Sequence, residues 1–170
     1  MVNKKKIKTF TIVLFLIFLL GLIGNQIIQI VTLIHEGFHS FILSLFGCKL
    51  NKVGAIVYAG ATSFDCNLSN SELILASLLG PIGSFCLALY VWYKFGKDNW
   101  TRYPALFGML YSSLPSLYPR LSGSDMWVAV QNGFPEIIGF LIWIITSGIA
   151  TYALLSEIKE RDILKKFISK

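Results

Sequence analysis

Residues 26–46 form the most informative segment of the chain and have the sequence QIIQIVTLIHEGFHSFILSLF. It is long and apolar enough to cross the hydrocarbon core of a bilayer, which takes about 20 helical residues. Three ionisable residues, His35, Glu36 and His39, lie near its middle. Each charged side chain costs about 2.5–3.5 kcal/mol at that depth on insertion scales, so their presence there indicates a functional site.

The composition of the whole chain is also that of a membrane protein. Of the 170 residues, 55% are hydrophobic and 14% are charged, with a mean hydropathy of +0.66. Such a chain is hard to fold with a water-soluble surface, and its length suits one domain, 1–170. The expected location is therefore the cell membrane, with the lipid bilayer as a partner. A net charge of +6 fits lysines held at a membrane surface, and no nucleic acid partner is expected.

Four further apolar runs accompany the first, and the sequence predicts an all-α membrane protein with about five transmembrane helices. The runs lie at 7–23, 26–46, 73–95, 104–132 and 135–156. A polar interruption at Gly24, Asn25 and Gln26 predicts a turn between the first two. The fourth run contains three prolines and a polar stretch at 120–125, which predicts a span that is broken in the middle.

The loop between the second and third spans differs from its surroundings. It alternates β-branched and aromatic residues with Gly54 and Gly60, which predicts a small β-hairpin. Cys48 and Cys66 flank this stretch. They can pair in an oxidising compartment, but the sequence alone favours reduced thiols. Cys86 lies in an apolar run and is expected to be a small core residue.

Basic residues constrain the orientation of the chain. The positive-inside rule places the lysines at 4–8 in the cytoplasm. Five spans would then put the hairpin loop in the cytoplasm and the basic tail after Glu157 outside, against the same rule. The orientation of the tail, which is expected to form a short amphipathic helix, stays open on this ground.

His35 and His39 are the two histidines of the chain. Residues four apart on a helix share a face, with Cβ atoms about 5–6 Å apart, so both imidazoles can reach one ion. Glu36 lies about 100° round the helix, where it can contact a metal-bound water without being a ligand. This spacing is typical of zinc metalloproteases. It predicts His35 and His39 as zinc ligands and Glu36 as the catalytic base that activates a zinc-bound water.

A catalytic zinc takes three protein ligands and keeps a fourth position open. Among the carboxylates, Asp125 alone lies in the broken stretch of an apolar run, and it is the predicted third ligand. An alternative role is the N-cap of a helix that begins at Met126, and the two roles are compatible. The proton that Glu36 takes from water would pass to the leaving amine. Ser112 and Ser113 are candidates to stabilise the oxyanion.

Together these motifs resemble the site-2 protease family of intramembrane zinc metalloproteases, which combines HExxH on one span with an aspartate on a later, broken span. Gly80-Pro81 is similar to the family's Gly-Pro segment, 112–115 to its Asn-x-x-Pro stretch, and Ser124-Asp125 to its Leu-Asp-Gly. The resemblance covers about 26–132. The chain departs from the family pattern where Ser112 and Ser84 replace asparagines, Met126 replaces a glycine, and Gly37 precedes Phe38.

The resemblance implies a protease that hydrolyses peptide bonds of membrane-spanning or membrane-proximal proteins or peptides. It also implies that an unwound substrate adds as an extra strand to the edge of the hairpin. No recognition module is apparent in the sequence, so a regulatory membrane partner is a possible source of recognition. A non-catalytic zinc-binding membrane protein, such as a pseudo-protease or immunity-type factor, is the first alternative, and Glu36 argues against it. A metal transporter is the second, and the lack of a His-rich loop argues against that.

Overall fold

A computed structural model describes residues 4–56, 59–95 and 99–160 and shows a mostly helical chain. Its elements are α1 (Lys4–Leu45), β1 (Lys49–Ile56), β2 (Ala59–Asp65), α2 (Asn70–Phe95), α3 (Asn99–Tyr111), a π-helical turn (Ser112–Ser116), α4 (Asp125–Gln131) and α5 (Glu136–Glu160). Three helical stretches in these ranges are long and apolar enough to cross a membrane, namely Asn25–Leu45, Asn70–Phe95 and Glu136–Lys159. They are consistent with a membrane protein.

Helix α1 is one continuous helix of 42 residues. It passes through Gly24, Asn25 and Gln26, so the expected turn between a first and a second span is wrong. A single glycine costs a helix about 1 kcal/mol and other non-proline residues up to about 0.7 kcal/mol, which the helix-forming residues on both sides outweigh. A polar interruption without proline is thus compatible with an unbroken helix.

A left-handed glycine ends α1 and turns the chain into the two-stranded sheet. Gly47 has a φ of 75°, its N–H donates to Ser44 O at 3.0 Å, and the N–H of Cys48 donates to Leu43 O at 3.0 Å. This is the Schellman ending of a helix. Strands β1 and β2 then pair antiparallel with Lys49 opposite Asp65, in the stretch where the sequence predicts a hairpin.

A disulfide joins Cys48 to Cys66 across the base of this sheet, so the expectation of reduced thiols is wrong. The register explains the pairing, because the residues just outside the Lys49 and Asp65 pair face each other, with their Cα atoms 5.2 Å apart. Cys48 packs in a buried cluster with Ile42, Leu43 and Ala76. The expectation for Cys86 is also wrong, because its side chain is exposed on α2.

Small residues on α2 let α1 and α2 approach closely. A Cβ atom on Gly80 would overlap the ring of His39, and one on Gly83 would overlap the ring of Phe38. Ser84 is also buried on the same helix. Helices with such residues at their contact can bring their backbones close together. In this fold, close contact holds α2 against the histidines of α1.

The fourth apolar run is interrupted, as the sequence predicts. Helix α3 gives way to the π-helical turn, a non-helical segment follows, and α4 begins at Asp125. The N-cap of α4 is Ser124, whose Oγ accepts a hydrogen bond from the N–H of Trp127 at 3.0 Å. The alternative role of Asp125 as the N-cap of a helix starting at Met126 is therefore wrong. The tail expected to be amphipathic lies largely outside the described residues.

Helix α5 packs against α2 and α3. Its residues Ala150 and Ala153 are buried against Phe85 of α2 and against Leu106 and Met109 of α3. Many of its other apolar side chains are exposed, with Ile137 at 73% and Tyr152 at 71%. Large apolar side chains on the surface of such a helix are what a lipid environment accommodates.

Candidate metal centre

The two histidines of α1 converge as their spacing predicts. His35 and His39 are buried, and their ring centroids lie 4.8 Å apart. Their Nε2 atoms are separated by 3.0 Å. Both imidazoles therefore present the same ring atom to one point beside the helix.

Asp125 of α4 reaches the same point from a distant part of the chain. Its Oδ2 lies 3.0 Å from His35 Nε2, and its Oδ1 lies 3.3 Å from His39 Nε2. The non-helical segment before α4 carries it there. Gly123 takes a φ of 83°, and Ser124 Oγ donates to Tyr118 O at 2.8 Å. The three predicted ligands are thus brought together.

The hydrogen bond on the far side of His39 determines its tautomer. His39 Nδ1 lies 2.6 Å from the carbonyl oxygen of Ala76. A carbonyl can only accept, so the proton is on Nδ1 and the lone pair of Nε2 points towards His35 and Asp125. Metal-binding histidines are commonly oriented by such a bond from the other ring nitrogen.

The separations between the three side chains fit a tetrahedral zinc. Zinc binds histidine nitrogen and carboxylate oxygen at about 2.0–2.2 Å, which places neighbouring tetrahedral ligands about 3.3 Å apart. The observed separations of 3.0–3.3 Å are close to that value, with a different oxygen of Asp125 facing each ring, and the candidate ligand atoms all lie within 4.8 Å of one another. The Nε2 lone pair of His39, with a second imidazole nitrogen and a carboxylate beside it, is also an arrangement that a cation stabilises. Two imidazoles and one carboxylate are a ligand set typical of catalytic zinc.

Glu36 lies beside this group, as the sequence predicts. It is 6% exposed and lines a cavity of about 320 Å³ that also contains His35 and Asp125. The remaining residues of the cavity wall come from α3 and the segment that follows it, namely Tyr111, Pro115, Ser116, Leu121, Ser122, Gly123 and Ser124. The cavity therefore borders Glu36 and two of the three predicted ligands, His35 and Asp125.

The serines that the sequence offers as oxyanion donors do not line this cavity. Ser112 Oγ lies 2.8 Å from Ser84 Oγ, and Ser84 Oγ lies 3.5 Å from His35 Nδ1. Ser113 Oγ donates to Leu110 O at 3.4 Å. Ser112 and Ser84 therefore lie behind His35, where they help to hold its ring, and the prediction of an oxyanion donor at Ser112 or Ser113 is wrong.

Three contributors to the site were missed by sequence reasoning. The carbonyl of Ala76 orients His39, Gly80 provides space for the His39 ring, and Tyr111 lines the cavity. A backbone carbonyl leaves no signal in a sequence. Gly80 could have been found, because a glycine beside a proline in a span is a marked position. Tyr111 directly precedes the predicted break, which was its available signal.

Comparison of the chain with protein-family models, curated proteins and solved structures finds no match. Its function is therefore inferred from the motifs of the sequence and the geometry around His35, His39 and Asp125.

Proposed function

We propose that this chain is an intramembrane zinc metalloprotease of the site-2 protease type. Its substrates are membrane-spanning or membrane-proximal proteins and peptides. The observation that carries the proposal is the convergence of His35, His39 and Asp125, with separations of 3.0–3.3 Å. Supporting observations are the burial of Glu36 and its position on the wall of the same cavity.

The chemistry is metal-assisted hydrolysis. When bound, zinc supplies a water with a pKa lowered to about 7 and polarises the scissile carbonyl. Glu36 takes a proton from the attacking water and donates it to the leaving amine, so that the amine departs in neutral form. His39 is held in the required tautomer by Ala76. A structural zinc site has no use for a base on the wall of a cavity, which favours catalysis over a purely structural role.

The protein acts from within the bilayer as a multi-pass membrane protein. Two of the three candidate spans carry or contact the proposed ligands, with His35 and His39 on the first and the Ala76 carbonyl on the second. The broken helix that carries Asp125 lines a polar cavity. Non-helical backbone is tolerated at membrane depth in that situation, because the cavity water and the surrounding protein satisfy its polar groups.

The proposal is tested first by zinc content. The purified full-length chain is expected to hold one zinc, and Asp125→Ala is expected to lose it. Removing a residue that only supports a ligand lowers metal affinity by about 10–100-fold, and removal of a ligand should exceed that loss. Metal analysis after equilibration with buffered zinc measures both variants. Asp65→Ala removes an exposed carboxylate outside the site and is the matched control, with zinc content expected to equal that of the wild type.

Two results of this measurement count against the proposal. If Asp125→Ala keeps full zinc occupancy at the same buffered zinc concentration, Asp125 is not a ligand. If the wild-type chain takes up no zinc while remaining folded and monodisperse, the metalloprotease is rejected as a whole.

A further inference from the structure

The described helices have two distinct ends. One, the hairpin end, comprises β1, β2 and the start of α2. The other, the basic end, comprises the end of α2, the start of α3 and the end of α5. Glu157 of α5 ties the basic end together, because its carboxylate accepts a hydrogen bond from Trp92 Nε1 at 3.3 Å and pairs with Arg102. Because α2 connects the two ends, they lie on opposite sides of a membrane that α2 crosses.

A disulfide bond distinguishes the hairpin end from the basic end. The Cys48–Cys66 disulfide lies at the hairpin end, where it closes the base of the sheet. Disulfides form and persist in oxidising compartments, whereas cytoplasmic thiols are kept reduced. The disulfide therefore indicates that the hairpin end faces the extracytoplasmic side.

Charge distinguishes the same two ends independently. The chain has 15 lysine and arginine residues. Those placed at the hairpin end are Lys49, Lys52 and Arg120, the last of which pairs with Glu136 at the start of α5. Four others, Lys4, Lys5, Lys6 and Lys8, lie in the first turns of α1. The remaining eight are close in sequence to the elements of the basic end, namely Lys94, Lys97, Arg102, Lys159, Arg161, Lys165, Lys166 and Lys170. Because α1 is unbroken from Lys4 to Leu45, its first turns lie away from the hairpin.

We infer that the hairpin end faces the extracytoplasmic side and the basic end faces the cytoplasm. Cytoplasmic segments of membrane proteins carry an excess of lysine and arginine, and this orientation places more of the described basic residues at the cytoplasmic end than at the hairpin end. It also removes the conflict of the five-span topology, in which the basic tail falls outside. The unbroken course of α1 makes the difference, since a turn at Gly24 would reverse the direction of every element after it.

The metal centre lies in the outer half of the membrane in this orientation. His39 precedes Leu45, the last residue of α1, by about 9 Å of helix at about 1.5 Å per residue. Ala76, which accepts from His39, follows the first residue of α2 by the same distance of about 9 Å and precedes the last by about 28 Å. The distances along α1 and α2 therefore both place the metal centre near the hairpin end.

Combined with the proposed function, this depth defines a class of substrate, and that class rests on the proposed function. It comprises membrane proteins whose spans unwind near their extracytoplasmic ends, and peptides that insert into the outer leaflet. An extended segment of such a substrate reaches the sheet and the metal centre on the same side of the membrane. The sheet has two strands, and a free strand edge can accept an extended peptide by backbone hydrogen bonds.

The orientation is tested by thiol labelling, which needs neither zinc nor protease activity. In a full-length background with Cys48→Ser, Cys66→Ser and Cys86→Ser, one variant carries Lys49→Cys and the other Lys94→Cys. The two lysines are both exposed, one at each end. Spheroplasts are treated with a membrane-impermeant maleimide, before and after permeabilisation. We expect Lys49→Cys to be labelled in intact spheroplasts, and Lys94→Cys only after permeabilisation.

A second measurement retains the native cysteine pair, in case the cysteine-free background does not fold. Free thiols of the Cys86→Ser chain are blocked in intact membranes, the protein is reduced, and newly exposed thiols are labelled. We expect Cys48 and Cys66 to be labelled only after reduction. Labelling of Lys94→Cys in intact spheroplasts, protection of Lys49→Cys until permeabilisation, or blocking of Cys48 and Cys66 without reduction would each overturn the inference, and zinc binding would be unaffected by that outcome.

Discussion

Replacing Glu36 by glutamine is expected to abolish proteolysis while zinc stays bound. Glutamine keeps the size of the side chain but cannot take a proton from water at neutral pH. General acid and base catalysis contributes between about 100-fold and 10,000-fold to such reactions, and a loss in that range is expected in kcat. The residue lies on the cavity wall beside the ligands and is not one of the three that converge. Cleavage of membrane substrates and zinc content are measured on the same preparation.

The matched control for this change is Glu136→Gln. Glu136 opens α5 and pairs with Arg120 at the surface, 2.7 Å away, so the same chemical change occurs outside the cavity. Ion pairs of this exposed kind contribute at most about 1 kcal/mol, and its activity should stay near that of the wild type. Wild-type cleavage by Glu36→Gln would refute the assignment of the base. Loss of zinc from that variant would instead make Glu36 a ligand.

A second large effect is expected from Gly80→Ala, a change of a single methyl group on α2. The new Cβ atom would overlap the ring of His39, so either the ring or the helix must move. Overpacking of this kind costs about 1–3 kcal/mol. If that cost falls on the metal site, zinc affinity drops by about 5-fold to 150-fold. Competition with a zinc chelator measures the change in affinity, and cleavage is expected to fall with it.

Gly37→Ala is the matched control for the change at position 80. Gly37 is exposed on α1, between the proposed base and a proposed ligand, and nothing lies within 4 Å of a Cβ built on it. Alanine is favoured over glycine inside a helix by about 0.5–1 kcal/mol, so this variant should be at least as stable as the wild type. We therefore expect a change inside the HEGFH motif to be tolerated and a change far from it in sequence to be damaging. Equal zinc affinity in the two variants would contradict the packing argument.

The part of the site that lies on a single helix could be predicted from the sequence. His35 and His39 lie on one face of α1 because a helix with 3.6 residues per turn brings positions four apart together. Asp125 was predicted as a ligand by its place in a broken apolar run, and the structure puts it beside both rings. The sequence also offers Ser112 and Ser113 as oxyanion donors, but Ser112 Oγ lies 2.8 Å from Ser84 Oγ instead.

Sequence patterns were enough to predict a membrane protein, the interrupted fourth run and the paired imidazoles. These follow from composition, proline positions and helical periodicity, which act over a few residues. The folded chain was needed to show that α1 is unbroken, that Cys48 bonds to Cys66, and that Ser124 rather than Asp125 caps α4. Each of these depends on a balance between local preference and contacts made by residues distant in the chain. Local sequence patterns indicate the local preference but not the contacts between distant residues.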